Sequence, residues 1–335
     1  MTQIPWDALS ERLASALEEG RGIVLGTHVN ADGDGLGSQI ALWFHLKSLG
    51  HRVSMINDDP VAQKYRFLRG SESILAWDPG TCVPLIRDAA LFIVLDNSSP
   101  QRLGKILPVL QESRAYRICI DHHAEADPFW HLNCVDVDAS ASGQLVYGAI
   151  RALGGRITPE IAEALYVAFV TDTGHFRFPK STPEVHRIVA DLMEKGEINP
   201  QRIYRALYEN IRPGLNLLVA RALAGTKYEY GGRFAWARLT MEQLQECGVV
   251  DDDTGDLVNM MLSVEGVEAA ALFKELPGGR TKVSLRSRGD VDVNALASRF
   301  GGGGHKNASG ALMTRPFEDG VKDVVEGMKE VLPPA

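Results

Sequence analysis

The sequence predicts an α/β protein, with a parallel-sheet domain first and a smaller α+β domain after it. Residues 1 to about 180 alternate short apolar runs with amphipathic helical stretches, the pattern of a mostly parallel sheet covered on both faces. Beyond residue 215 the pattern changes to strands divided by helices and Gly-rich turns. A chain of 335 residues also exceeds the usual size of one domain.

The strands of the first domain are expected at "GIVLG" (22–26), "RVSMIN" (52–57), "LFIVLDN" (91–97), "YRICIDHH" (116–123) and "LNCVDV" (132–137). Between the first two lies "GSQIALWFHLKSLG", whose Ile40, Leu42, Trp43, Phe44, Leu46 and Leu49 suit a buried helix closed by Gly50. "SASGQLVYGAIRAL" and "TPEIAEALYVAFV" read as two more helices with Ser or Thr available as N-caps. The segment "STPEVHRIVADLMEKGEINPQRIYRALYENIRP" reads as helix, break and helix, too apolar for a disordered spacer. In the second half "RFAWARLT", "AAALFKEL" and "TKVSLRSRG" are strands, with turns at "YGGR" and "PGGR". This places the first domain at 1–185, a helical connector at 186–215 and the second domain at 216–335.

Composition narrows the function. Hydrophobic residues make up 45% and charged residues 23%, and no uncharged apolar window of about 18 residues is present to span a bilayer. The start "MTQIPWDALSERLASALEEG" has acids among its apolar residues and no basic region, unlike a secretory or transit peptide, so a cytoplasmic protein without a membrane partner is expected. Cys82, Cys119, Cys134 and Cys247 stand far apart, which argues against a thiolate metal site or a disulfide framework. A net charge of −8 disfavours a broad grip on long nucleic acid, whose binding rests on phosphate neutralisation, and leaves room for a short anionic substrate.

Acids and imidazoles recur where apolar elements end. His28, Asp32 and Asp34 follow "GIVLG", Asp96 closes "LFIVLD", Asp121, His122 and His123 close "YRICI", and Asp172 follows "LYVAFVT". Each alone has an ordinary explanation: Asn, Asp and Gly form turns, an Asp caps a helix, a His sits in a core. Together they do not, because the carboxyl ends of the strands in a doubly wound sheet gather on one edge. Unpaired carboxylates crowded there repel and raise one another's pKa, a conflict that cations resolve. Oxygen and imidazole ligands without sulfur suit Mn²⁺ or Mg²⁺ and are compatible with Zn²⁺, Co²⁺ or Fe²⁺. More than four ligands point to two metals about 3.5–4 Å apart with a bridging carboxylate, and so to phosphoester hydrolysis.

These motifs resemble those of the DHH phosphoesterase family, named for the triplet that stands here as Asp121-His122-His123. "HVNADGDGLGS", "LDNS", "IDHH" and "TDTGHFRF" are similar to its four ordered motifs, and "GGGGHKNASG" (301–310) to the signature of the attached DHHA1 domain. The resemblance implies two divalent cations, Mn²⁺ first with Mg²⁺ or Co²⁺ as alternatives. It assigns one to His28, Asp32 and Asp96 and the other to Asp34, Asp96, His122 and Asp172, with Asp96 as bridge. It implies that Asp121 orients an imidazole and that His123 faces the scissile phosphate as donor or acid. In the second domain Gly301 to Gly304 let the backbone approach an anion, with Gly303 and Gly304 next to the donors His305, Asn307 and Ser309. Arg286 and Arg288 on the preceding strand could clamp a terminal phosphate.

The order of the two domains is similar to the stand-alone bacterial subgroup of the family that degrades short oligoribonucleotides and removes the 3′-phosphate of adenosine 3′,5′-bisphosphate. The expected substrates are therefore short RNAs or small nucleotides held in an interdomain cleft, and the resemblance also implies a homodimer. A phosphodiesterase acting on c-di-AMP or pApA is the alternative. A catalytically silent nucleotide sensor is the alternative from another class. Phe176, Phe178, Tyr204 and Tyr208 could stack bases or pack the connector.

Overall fold

The five expected strands and one more form a sheet in which every neighbouring pair runs parallel. The computed structural model describes residues 4–123, 127–209, 212–249, 254 and 257–332. The strands are β1 (Ile23–Gly26), β2 (Val53–Asn57), β3 (Ile74–Ala76), β4 (Leu91–Leu95), β5 (Tyr116–Asp121) and β6 (Leu132–Val135), in the order β3-β2-β1-β4-β5-β6. β1 and β4 are buried at every residue, as central strands covered on both faces must be. β3 has no residue fully buried, and its three residues are too few to stand out as a strand in sequence.

Helices cover both faces. On one side α1 (Trp6–Glu18), α2 (Gly33–Ser48), α5 (Ser142–Ala152) and α6 (Pro159–Asp172) build the larger core, with Ile40, Leu46, Leu165 and Phe169 wholly buried. On the other side α3 (Pro79–Asp88) and α4 (Ile106–Glu112) cover Val24, Phe92, Val94 and Cys119. Thr158 caps α6 through the Ile161 amide, whereas α5 starts from Ala141 with no side-chain cap. α7 (Pro183–Gly196) and α8 (Pro200–Tyr204), which the sequence sets apart as connector, send Val185, Val189, Leu192 and Ile203 into the larger core. The chain accordingly divides into two compact units, Met1–Asn210 and Ile211–Ala335.

α2 begins at Gly33, four residues before the expected start. Asp32 caps it by accepting from the amides of Asp34 and Gly35, and three glycines allow close packing at that end. A Cβ on Gly33 would lie 2.5 Å from the Thr171 side chain, on Gly35 2.4 Å from Thr27 Oγ1, and on Gly37 2.3 Å from the Ala164 carbonyl. Gly33 and Gly35, which the sequence presents as turn formers, are with Gly37 part of the contact surface of α2.

The second unit is a mixed sheet in the order β11-β12-β10-β9-β8-β7, in which only β8 and β9 are parallel. Its strands are β7 (Lys227–Glu229), β8 (Phe234–Leu239), β9 (Ala269–Leu276), β10 (Arg280–Ser287), β11 (Gly303–His305) and β12 (Ala308–Met313). One face packs on α12 (Val293–Ser298) and α13 (Phe317–Val331), the other on α9 (Pro213–Ala224), α10 (Met241–Glu246) and α11 (Leu257–Leu262). The four cysteines are buried and form no disulfide. No helix among the described residues is long and apolar enough to cross a membrane.

Gly37→Ala tests the α2–α6 packing. Alanine favours a helix over glycine by about 1 kcal/mol, but here its methyl meets a fixed backbone carbonyl, and overpacking costs about 1–3 kcal/mol. Urea unfolding is expected to show a net loss of stability. A gain would mean that the two helices can separate without loss.

Candidate metal centre

The strand order reverses between β1 and β4, and the acidic residues converge at that point. His28 stands two residues past β1, Asp96 directly past β4, and Asp121 ends β5 with His122 and His123 following. α2 brings in Asp32 as cap and Asp34 in its first turn, and α6 ends on Asp172. Asp96 adopts a left-handed backbone with φ of 59°, which turns the chain sharply out of the strand.

Two groups of ligand atoms share this space. In one, His28 Nε2 lies 3.4 Å from Asp96 Oδ2 and 3.9 Å from Asp32 Oδ1. In the other, His122 Nε2 lies 3.5 Å from Asp172 Oδ2, 3.6 Å from Asp96 Oδ1 and 3.8 Å from Asp34 Oδ2. Asp96 thus faces both groups, one carboxylate oxygen to each. All but one of these separations are at or beyond hydrogen-bonding length, while the ligand atoms of His28, Asp32 and Asp96 lie within 4.8 Å of one another, as do those of Asp34, His122 and Asp172, the spacing of donors around a common ion. His28 Nδ1 meets the Val29 carbonyl at 2.8 Å, which makes Nδ1 the protonated nitrogen and turns the Nε2 lone pair inward. His122 Nδ1 meets the Ala139 carbonyl at 3.3 Å in the same sense. The donor set fits a pair of divalent cations.

A second layer holds these ligands. Asp34 accepts from the Ser142 amide at 2.6 Å, the Gly143 amide at 2.9 Å and Ser38 Oγ at 3.2 Å, so the N-terminus of α5 clamps a carboxylate from α2. Ser142 Oγ donates to Asp96 at 3.0 Å. Asp121 accepts from the His122 amide at 2.7 Å, from His123 Nδ1 at 2.7 Å and from Ser98 Oγ. Ser38, Ser98 and Ser142 escaped sequence reasoning. In "SASGQ" the only visible sign was a helix start, and Ser142 serves the ligands rather than a cap.

Crowding sets the protonation of the cluster. Burial, with Asp96, Asp172 and Asp32 nearby, pushes the Asp34 carboxyl well above the usual carboxylate range, and burial with Asp32 and Asp121 does the same to Asp96. Asp172 is pushed up to about 7, first by burial and then by Asp32. For Asp121 burial also works upward, but the bonds from His123 and Ser98 prevail and hold it down at about 2. Burial and the neighbouring His123 charge bring His122 down to about 4. His123 moves upward, because its bond to Asp121 outweighs burial.

The expected substrate residues of the second unit separate into two sets. Register places Arg286 opposite Ala308 and His305 opposite the same Ala308, so Arg286 and His305 share one face of the sheet across a small residue. Ser309 alternates to the other face, where Oγ donates to the His305 carbonyl at 2.7 Å. Asn307 Nδ2 is committed to Ser287 Oγ at 2.9 Å, Val291 O at 3.1 Å and Gly289 O at 3.2 Å, which ties the hairpin to the end of β10. Arg288, exposed beyond β10, donates its amide to the Glu268 carbonyl at 2.8 Å. The glycine run is partly strand: Gly303 and Gly304 lie in β11, and a Cβ on Gly304 would meet the Ala308 carbonyl at 2.5 Å.

Comparison with known proteins gives the family. The family model of the DHH family, N-terminal domain, matches residues 22–169, and that of the DHHA1 domain matches residues 243–332. The "Bifunctional oligoribonuclease and PAP phosphatase NrnA" of Thermus thermophilus is 33% identical over 92% of this chain and 90% of its own. The Bacillus subtilis protein of the same name is 27% identical over 86% of this chain and 88% of its own. Among solved structures, an exopolyphosphatase-related protein from Bacteroides fragilis superposes with a TM-score of 0.91 at 28% identity over 98% of both chains. With both family models met in chain order and a relative similar over nearly its full length, this chain belongs to the DHH family, carries a DHHA1 domain, and is a hydrolase of phosphodiester bonds.

Proposed function

We infer that the chain hydrolyses short oligoribonucleotides to mononucleotides, and adenosine 3′,5′-bisphosphate to AMP, with two divalent cations of which Mn²⁺ is the leading choice. The observation that carries this is the pair of ligand sets meeting at Asp96, in a chain similar end to end to proteins named for those two activities. His28, Asp32 and Asp96 would hold one cation, and Asp34, Asp96, His122 and Asp172 the other. Bound there, the cations supply charge neutralisation at phosphorus and an acidified water.

The chain's own groups do the rest. Asp121 takes His123 Nδ1, so Nε2 is the nitrogen that can pass a proton to a leaving oxygen, and the raised pKa keeps that proton in place. Ser142 and the α5 amides keep Asp34 and Asp96 aimed at the cations. In the second unit Arg286 and His305, on one face, are the proposed readers of a terminal phosphate, and Arg288, Gly303 and Gly304 lie at the same end of the sheet. Asn307 and Ser309 are proposed to support that edge through the bonds they already make.

The first test is hydrolysis by the full chain in Mn²⁺ of 5′-labelled RNAs from two to about 24 nucleotides, adenosine 3′,5′-bisphosphate, c-di-AMP, pApA and polyphosphate. Fast turnover of the shortest RNAs and of the bisphosphate is expected, with Asp96→Ala about 1,000-fold slower or worse, since a cation site is worth several kcal/mol to the transition state. Preference for c-di-AMP, pApA or polyphosphate would reassign the substrate. Asp121→Asn is expected to lose about 10- to 100-fold, the usual effect of removing a carboxylate that orients an imidazole. Unchanged turnover would remove Asp121 from the mechanism.

Thermal unfolding tests cation binding without turnover. Asp172 holds its proton up to about pH 7 when folded, against an ordinary value of 3.8. Its contribution to stability is thus present below about pH 4 and is lost as pH rises through about 7. A cation displaces that proton, so Mn²⁺ is expected to raise Tm more at pH 8 than at pH 6, and Asp172→Asn to shrink the difference. No Mn²⁺-dependent rise at either pH would sink the cation assignment.

A further inference from the structure

The residues directly after Asp172 form an unusual turn. Gly174, His175 and Phe176 are all left-handed, with φ of 55°, 58° and 63°, a conformation disfavoured at the two residues that carry a side chain. Thr173 holds it in place: its Oγ accepts from the Phe176 amide at 2.9 Å and its carbonyl from the amides of Arg177 at 3.0 Å and Phe178 at 3.1 Å. The His175 ring packs on Tyr204 and Tyr208, with centroids at 5.2 Å and 5.4 Å. Phe176 joins the larger core.

Phe178 does not join that core. Its ring lies over Gly174, where a Cβ would come within 2.6 Å of it, and it stays 49% exposed. The missing side chain at Gly174, two residues from the proposed cation ligand Asp172, thus makes room for the half-exposed Phe178 ring. Lys180 follows, exposed, and its carbonyl accepts from the Thr182 amide at 2.8 Å. The Thr173 carbonyl, one residue from Asp172, holds the start of this segment through the Arg177 and Phe178 amides, and the Phe178 carbonyl accepts from the Ser181 amide at 3.0 Å, so the segment is tied back to the end of α6. An exposed ring and an ammonium two residues apart match the two parts of a nucleotide, a base face and a phosphate.

We propose that Phe178 and Lys180, carried on the turn after Asp172, form a nucleotide-binding subsite in which the ring stacks on a base and the ammonium meets a phosphate. The proposal rests on the phosphodiesterase reading above and names the part of the substrate recognised on this side of the cluster. It gives the strained turn a purpose, since the turn sets how the chain leaves Asp172 and where the Phe178 ring lies over Gly174.

The test compares a dinucleotide with the same compound lacking its bases, using the full chain in Mn²⁺. Phe178→Leu keeps apolar packing on Gly174 but has no aromatic face. It is expected to lower the ratio of kcat/KM for the base-bearing over the abasic substrate about 10-fold, through KM, with Phe178→Tyr restoring it. Lys180→Ala is expected to raise KM on both substrates and to weaken the dependence of KM on salt, with Lys180→Arg restoring both. An unchanged ratio in Phe178→Leu, or a Lys180→Ala effect on kcat alone, overturns the subsite. Wild-type protein that cleaves neither substrate would defeat the phosphodiesterase reading instead. The subsite is then judged by fluorescence of a 2-aminopurine dinucleotide in Ca²⁺, where quenching by wild type but not by Phe178→Leu supports it and equal signals overturn it.

Discussion

Crowding of carboxylates at the point between β1 and β4 is the constraint on which the first unit depends. Asp34 and Asp96 are buried beside each other, with Asp121, Asp32 and Asp172 close by, a concentration of negative charge that a folded chain does not tolerate without compensation. Each compensating device is visible. The amides at the start of α5 point at Asp34, Ser142 bridges to Asp96, and Asp121 is surrounded by donors. These donors satisfy only part of the carboxylate oxygens. Asp32 Oδ1, Asp34 Oδ2 and Asp96 Oδ1 accept such bonds and also face an imidazole nitrogen, as Asp96 Oδ2 and Asp172 Oδ2 do, across 3.4–3.9 Å, a distance that cations fill and hydrogen bonds mostly do not.

The same constraint explains the tight packing around the site. Asp32 and Asp34 reach the cluster only if the first turn of α2 lies against the loop after β1 and against α6. The glycines at 33, 35 and 37 permit that approach, because each has a neighbour within 2.5 Å of where a Cβ would stand. Local propensity argues against three glycines in a helix start, and tertiary contact overrides it. Asp96 pays for its position with a left-handed backbone, a strain that the surrounding parallel strands are rigid enough to hold.

What the sequence made legible follows from this physics. β1, β4 and β5 announce themselves as apolar runs because central parallel strands are buried on both faces. Acids at the ends of such runs stand out because burying them is costly. β3, a short edge strand without a buried residue, leaves no such mark. Neither does the β11–β12 hairpin, whose glycines have low strand propensity and are selected by backbone contacts with Ala308 and Gly310. Asn307 and Ser309 show the limit from another side. Their donors look available in sequence, and only the register of the hairpin reveals that they are turned inward.

The adjacent imidazoles show how one motif can supply two kinds of group. His122 and His123 are neighbours in sequence with rings 4.7 Å apart, yet their pKa values move in opposite directions. The difference lies in Asp121. Its Oδ1 accepts from His123 Nδ1, which favours the charged ring, while it offers His122 only a bond to the backbone amide. His122, buried and pressed by the His123 charge, stays neutral with Nε2 toward Asp34, Asp96 and Asp172, as a metal ligand must be. His123, bonded to Asp121, is shifted toward the protonated form, the form that the proposed acid role needs. On the proposed function, a carboxylate followed by two histidines at the end of a buried strand would separate ligand from proton donor, because alternation along the chain gives the two rings different neighbours.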